Sequence, residues 1–300
     1  MGYLDLLDEM LATGTALLGD GFLRAQASYV GSRQGPAGGF VGRSGVEDLY
    51  YTDFALRTLV LTAPASPALG AIPGFLAAQP PPRDLVECFS YLNCRRMLQS
   101  PGRDPLPVPP SVYACLTEAE GALHDNPEAS VSAYQAFLLA LCHEMLGDGW
   151  SAGEEVLRGV QQLRRPEGGF AERADQTAAQ TNATAAGLAV LTMAGELEED
   201  CAASAARFLV SMQTSEDGGF RAHAAAPEGD LLSSFTAFLA LIGLAAVGPV
   251  DLAALARFAR TCARPGGGFS SCPRDAVPDV EYTYYGLGTL ALLRAMIPAS

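Results

Sequence analysis

The 300-residue chain contains no lysine: all 19 of its basic residues are arginine, set against 33 aspartates and glutamates, for a formal net charge of −14. Holding a nucleic-acid backbone takes clustered cations, and no basic tract is present, which excludes nucleic acid as a partner. The same deficit argues against docking on anionic membrane surfaces. Charged residues make up only 17% of the sequence and hydrophobic ones 49%, so the chain has ample material for a core and is not disordered. Cysteine lacks a pattern. Cys88, Cys94, Cys115, Cys142, Cys201, Cys262 and Cys272 are odd in number and contain no Cys-x-x-Cys pair. Neither a disulfide framework nor a zinc knuckle follows. Residues 1–20 carry Asp5, Asp8 and Glu9 without a basic region, so no Sec signal is read there. The uncharged stretch 231–250 contains Ser233, Ser234, Thr236, two glycines and Pro249, and is expected to be a buried helix rather than a membrane span. The expected location is the cytoplasm.

What the chain has in excess is glycine (32) and proline (20), too many for a plain helical protein and without a collagen period. Part of the glycine is repetitive. Gly-Gly-Phe occurs at 38–40, 168–170, 218–220 and 267–269, the last three spaced 50 and 49 residues apart. An amphipathic helical stretch precedes each of these three: Glu154 to Arg165, Cys201 to Gln213 and Leu252 to Arg264. After each tripeptide comes a polar loop of about ten residues and then a more apolar helix, beginning near Asp48, Gln180, Asp230 and Asp279. The starts share a spacing: Asp48 and Thr52, Gln180 and Thr184, Asp230 and Ser234, Asp279 and Thr283 are each four apart. Between the first two tripeptides there is room for two degenerate copies, over 66–148, with inner helices at Glu87–Leu98 and Ser130–Met145. The Pro-rich stretches 80–82 and 105–110 read as loops between repeats.

The clear repeats are thus 25–62, 150–200, 201–248 and 250–297. A unit this small cannot bury its apolar face alone, so neighbours stack. The second helix of each pair is apolar all round, as in Ala185–Ala194, Phe235–Val247 and Tyr284–Leu293, and is expected to be buried on both sides. The expected fold is all-α: a single α/α-toroid domain over 1–300, an α6/α6 barrel of about six helical hairpins with Gly-Gly-Phe loops.

These motifs resemble those of the protein prenyltransferase β subunit and of the squalene- and terpene-cyclase repeat proteins. The run Gly38-Gly39-Phe40-Val41-Gly42-Arg43, followed by Asp48-Leu49-Tyr50-Tyr51-Thr52, is similar to the family pattern G-G-F-x-G-R…D-x-C-Y-S. Gly267-Gly268-Phe269, followed by Asp279-Val280-Glu281-Tyr282-Thr283, is similar to G-G-F…D-x-x-H-T. The resemblance implies an isoprenoid diphosphate or similar apolar ligand in a central cavity, and transfer of a prenyl group. It implies a zinc held by an Asp and a Cys of the penultimate repeat and a His of the last. Here Asp230 is kept, but Leu232 stands at the Cys position and Tyr282 at the His position. The loop Arg221-Ala222-His223-Ala224-Ala225 also lacks the family's diphosphate-gripping cations, and the cyclase acid motif D-x-D-D is missing.

Zinc therefore loses two of three ligands, and magnesium at an acidic rim is the alternative. The expected catalytic residues are Asp230, Asp279 and Tyr282, with Asp230 also the remaining metal ligand. Ligand-binding residues are expected at Arg43, Asp48, Tyr50, Tyr51, Phe235, Glu281 and Tyr285. Each Asp has a plainer reading as a helix N-cap, and the aromatics as core. Arg57 and the Arg95-Arg96 pair lie on apolar helices and require partners. Cys272, His124, His143 and His223 are expected to play no metal role. Two other functions remain open: a non-catalytic scaffold or lipid- or protein-binding module, and a cyclase-like enzyme with another acid. A helical partner like the family's α subunit is also open.

Overall fold

In the computed structural model, residues 2–99, 107–125, 131–147 and 153–296 are described. Among them are thirteen α-helices: α1 (Tyr3–Thr15), α2 (Asp20–Gly31), α3 (Leu49–Thr62), α4 (Ile72–Ala77), α5 (Leu85–Met97), α6 (Pro110–Asp125), α7 (Ala133–Leu146), α8 (Glu154–Gln162), α9 (Thr181–Ala194), α10 (Glu199–Ser211), α11 (Leu231–Gly243), α12 (Leu252–Cys262) and α13 (Val280–Ala295). A 3-10 turn, Pro67–Ala71, leads into α4, and the two-residue strands β1 (Phe40–Val41) and β2 (Glu47–Asp48) pair antiparallel. The chain alternates outer helices with apolar inner ones, as the repeat predicts. Outer helices end two or three residues before the sequence pattern suggests, because the chain must turn into the Gly-Gly-Phe loop. The start of the expected helix at Ser130 lies outside the described residues; the helix is described from Ala133. The stretch from Leu231 forms α11, and no described helix is long and apolar enough to cross a membrane.

The four tripeptides build one device four times. The phenylalanines Phe40, Phe170, Phe220 and Phe269 are all fully buried. Each donates its backbone N–H to a hydroxyl on the following inner helix: Thr52 at 2.9 Å, Thr184 at 2.8 Å, Ser234 at 2.9 Å and Thr283 at 3.1 Å. The threonine hydroxyls in turn donate to the carbonyl four residues back, at Asp48, Gln180 and Asp279. The shared four-residue spacing is therefore a latch between loop and helix, which a capping reading alone does not contain. The first glycine of the tripeptide has positive φ, 91° at Gly267, and a Cβ there would overlap the Ala25 carbonyl of α2. Gly168 likewise faces Ser204 of α10, and Gly218 faces Ala254 of α12. Each loop thus seats on the outer helix of the next repeat, and the last loop seats on the first outer helix.

The chain divides into two compact units. One comprises the described residues up to Cys115 and from Ala259 onward; the other runs from Leu116 to Phe258. In the first, α3 packs between α5 and α13, with α2 behind it. Helix α1, which the repeat does not anticipate, lies on α13 and α3 and buries Leu4, Leu7 and Leu11 at helical spacing. In the second unit, α9 packs between α7 and α11, with α8 and α10 outside.

Candidate functional site

Neighbouring loops are joined by backbone bonds around the inner-helix N-termini. In the second unit Ala133 N donates to Glu172 O and Thr181 N to Ala222 O. In the first, an arginine side chain does this work. Arg43, in the loop after Phe40, donates to the Asp275 carboxylate and to Val277 O (3.0 Å), and its Nε lies 3.3 Å from Asp279 Oδ2. Its side chain is still 44% exposed. Burial works to raise the Asp275 carboxyl, but the Arg43, Val277 and Ser271 hydrogen bonds outweigh it and hold the pKa at about 2. Asp275 escaped the sequence reading. It lies 232 residues from Arg43, and no local spacing connects the two.

The three rim aspartates are all N-caps. Asp48 accepts from Tyr51 N (2.7 Å) and Asp279 from Glu281 N (2.9 Å). Asp230 accepts from Ser233 N and Ser233 Oγ, both at 2.8 Å, one on each carboxylate oxygen. Burial pushes all three carboxyls above the ordinary aspartate value, against the backbone hydrogen bonds that lower them. Asp230 and Phe235 belong to the second unit, where Phe235 is buried in α11. The other sequence-predicted residues, Arg43, Asp48, Tyr50, Tyr51, Asp279, Glu281, Tyr282 and Tyr285, come together in the first unit on α3, α13 and the loops before them.

Their rings form a continuous aromatic face. Tyr50 meets Tyr51 (5.4 Å between centroids) and Phe54 (5.0 Å); Phe54 meets Tyr285 (5.3 Å); Tyr285 meets Tyr282 (6.4 Å). Phe54 and Tyr284 are buried, while Tyr50, Tyr51, Tyr282 and Tyr285 are half-buried. Arg43 stands 5.9 Å from the Tyr282 centroid, a cation–π distance. Glu281 is pushed upward by burial, despite a hydrogen bond with the Tyr50 side chain. Tyr51 is pushed up to about 12, by burial and then by the charges of Asp279, Glu281 and Asp48. It is a proton-bearing donor at neutral pH, not a base. Tyr91 and Tyr134 stand apart: Tyr91 is buried, its hydroxyl donating to Pro107 O, and Tyr134 is exposed at the start of α7.

Below this face, Arg57 forks onto Asp53 through Nε and Nη2. Asn93 donates to Asp53 Oδ1 (2.6 Å) and accepts from Arg96, which donates to Asp8 Oδ2 (2.8 Å). Burial disfavours the Arg57 charge, but Asp53 more than offsets this and raises the guanidinium pKa. The partners that Arg57 and Arg96 require are thus found. Asp53 was within reach of sequence reasoning, at i,i+4 from Arg57. Asn93 was not.

The donor set does not fit zinc. Leu232 offers no donor atom, both Asp230 oxygens are committed within their own helix turn, and Tyr282 takes part in the aromatic face. No cluster of three His, Cys, Asp or Glu capable of holding a metal occurs among the described residues. His143 Nε2 instead lies 2.7 Å from Glu120 Oε1, and all seven cysteines are free thiols.

Paired outer and inner helices, joined by latched Gly-Gly-Phe loops and carrying aromatics and acids at the inner N-termini, define an α–α toroid protein. The family profile described as "Prenyltransferase alpha-alpha toroid domain" matches residues 113–299. The chain belongs to this family. Among solved structures it is similar to protein geranylgeranyltransferase-I of Candida albicans complexed with GGPP, at 14% identity and TM-score 0.52, over 96% of this chain and 84% of that one. It is also similar to a protein from Actinoplanes, at 16% identity and TM-score 0.56, over 92% of this chain and 98% of that one. At these identities the likeness is one of fold. No curated protein matches the sequence.

Proposed function

We propose that the protein binds an isoprenoid diphosphate, with its chain on the aromatic face of α3 and α13 and its head at Arg43. The observation that carries this reading is the face itself: the half-buried pairs Tyr50–Tyr51 and Tyr282–Tyr285, bridged by the buried Phe54 ring, with the partly exposed Arg43 side chain beside Tyr282. Such rings match a polyene chain and stabilise allylic cation character, and Arg43 suits a diphosphate by its fork geometry. The GGPP bound by the Candida albicans geranylgeranyltransferase-I supports the choice of ligand class. Magnesium would supply positive charge at the diphosphate; Asp279, buried with Oδ1 bonded to Glu281 N and Oδ2 facing Arg43, is not the residue to hold it. A zinc-activated thiol as prenyl acceptor has no support in the donor set.

A second reading rests on Glu281. Its carboxyl lies beside the aromatic face, hydrogen-bonded with Tyr50, and burial raises it above the ordinary glutamate value, the direction a proton donor to a polyene requires. Cyclase-like chemistry would then use Glu281 in place of the missing D-x-D-D acid.

Thermal melts with farnesyl and geranylgeranyl diphosphate, with and without magnesium, test the binding. A ligand at about a hundredfold excess over its Kd stabilises the native state by about 2.7 kcal/mol. Tyr285→Ala should remove most of that gain, and Arg43→Ala should weaken the diphosphates more than the free prenols. Absence of stabilisation at high ligand concentration favours the scaffold reading. Hydrocarbon products from geranylgeranyl diphosphate, lost in Glu281→Gln, would establish the cyclase reading.

A further inference from the structure

The donors of Arg43 are largely taken before any ligand arrives. Nη2 donates to the Asp275 carboxylate and to Val277 O, and Nε faces Asp279 Oδ2 at 3.3 Å. Among the described residues only Nη1 is without a partner. A guanidinium forks onto a phosphate through two N–H groups on one edge, either Nε with Nη2 or Nη1 with Nη2. Both edges need Nη2, and both of its hydrogens are committed. A diphosphate therefore gains a fork on Arg43 only by displacing a present partner.

This proposal rests on the reading of Arg43 as the head-group residue. We propose that Asp275 is an internal competitor for that head: its carboxylate holds the edge of Arg43 that a diphosphate takes, and it leaves when the ligand binds. Asp279 is not the partner that leaves. Its side chain is 2% exposed, and Oδ1 caps α13 by accepting from Glu281 N. Displacing Val277 O instead would leave the Asp275 carboxylate and the phosphate on one nitrogen, two like charges sharing a donor. Asp275 is free to go. Its side chain is 19% exposed, and its other bonds lie within its own loop, from Ser271 Oγ (2.9 Å) and Val277 N (3.1 Å). Those two bonds travel with the carboxylate, so it keeps donors after releasing Arg43. The same contact ties the loop after Phe40 to the loop before α13. Asp275 thus stabilises the empty protein and weakens its hold on an anion.

Calorimetric titration of the full chain with farnesyl diphosphate and with farnesol, both without magnesium, tests this. Asp275→Asn should bind the diphosphate about fivefold tighter than wild type, the worth of a well-formed exposed ion pair, and farnesol equally. Without ligand the same variant should melt at a lower temperature at neutral pH. A residue that only positions Arg43 would instead lower the melt and weaken the binding together. Asp275→Ala should show the same gain should the asparagine variant fold poorly. In an Arg43→Gln background Asp275→Asn should gain nothing. Glu9→Gln, which removes a carboxylate from an exposed position on α1, should leave the affinity unchanged. Diphosphate binding that is unchanged or weaker in Asp275→Asn, an equal gain from Glu9→Gln, or a gain that persists without Arg43 overturns the proposal. If Arg43→Gln alone leaves the diphosphate affinity intact, the head-group reading itself fails, and the two failures are told apart.

Discussion

Replacing Thr283 with valine removes one hydroxyl from the latch of the last repeat and keeps the shape. Thr283 and Phe269 are both fully buried, and no water replaces the lost group at the Phe269 N–H. The Asp279 carbonyl loses the Thr283 hydroxyl but keeps the Thr283 backbone N–H at 2.9 Å, so it is not orphaned. The expected cost is therefore that of one unsatisfied buried amide, about 1–3 kcal/mol. With a urea m-value of about 3 kcal/mol/M, the midpoint should fall by roughly 0.3–1 M with the slope unchanged. Thr283→Ser is the control, since it keeps the hydroxyl and loses only a methyl, worth about 0.8 kcal/mol. The two variants should lie in the order threonine, serine, valine. A valine variant as stable as the parent, with serine below it, would show that the methyl and not the hydroxyl matters, and the latch account would fail for all four repeats.

Other expectations follow from the charges. Glu281 has a folded-state pKa above its ordinary value, so its protonated form contributes stability that is full below the ordinary value and is lost as pH rises through the folded one. Glu281→Gln should therefore raise the melting temperature at pH 7 and lose the advantage near pH 3, below the ordinary glutamate value; an equal shift at both pH values would contradict the burial argument. Asp275 behaves in the opposite sense. Held at about 2, it keeps its stabilising pair with Arg43 down through pH 4, and that contribution fades only as pH falls toward 2; melts of Asp275→Asn should thus differ from wild type at pH 4 and converge near pH 2. Asp53→Ala leaves Arg57 unpaired, with a side chain only 12% exposed, and should cost about 3–5 kcal/mol in a urea titration. Asp53→Leu combined with Arg57→Met should cost less than Asp53→Ala alone.

The sequence carried the fold because the signals that specify it are local. Gly-Gly-Phe marks where each outer helix ends, and the four-residue spacing of Asp48 and Thr52 or Asp279 and Thr283 fixes where each inner one begins. The spacing was legible while its purpose was not, since the Phe40 or Phe269 amide that uses the hydroxyl lies 12 or 14 residues upstream. Helix α1 has a regular leucine pattern but no tripeptide, and so falls outside any repeat. The rim was readable as a set of residues on inner-helix starts. Its pairing was not: Arg43 reaches Asp275 and Asp279 only because the last loop seats on α2, and no spacing in the chain records that.

The most direct test of ligand recognition is a crystal structure of the protein grown with saturating geranylgeranyl diphosphate and magnesium. The account predicts a polyene chain against Tyr50, Tyr282 and Tyr285, with the diphosphate in hydrogen-bond reach of Arg43. A ligand bound away from that face, or a face left bare in crystals of a protein that binds the diphosphate in solution, would contradict it.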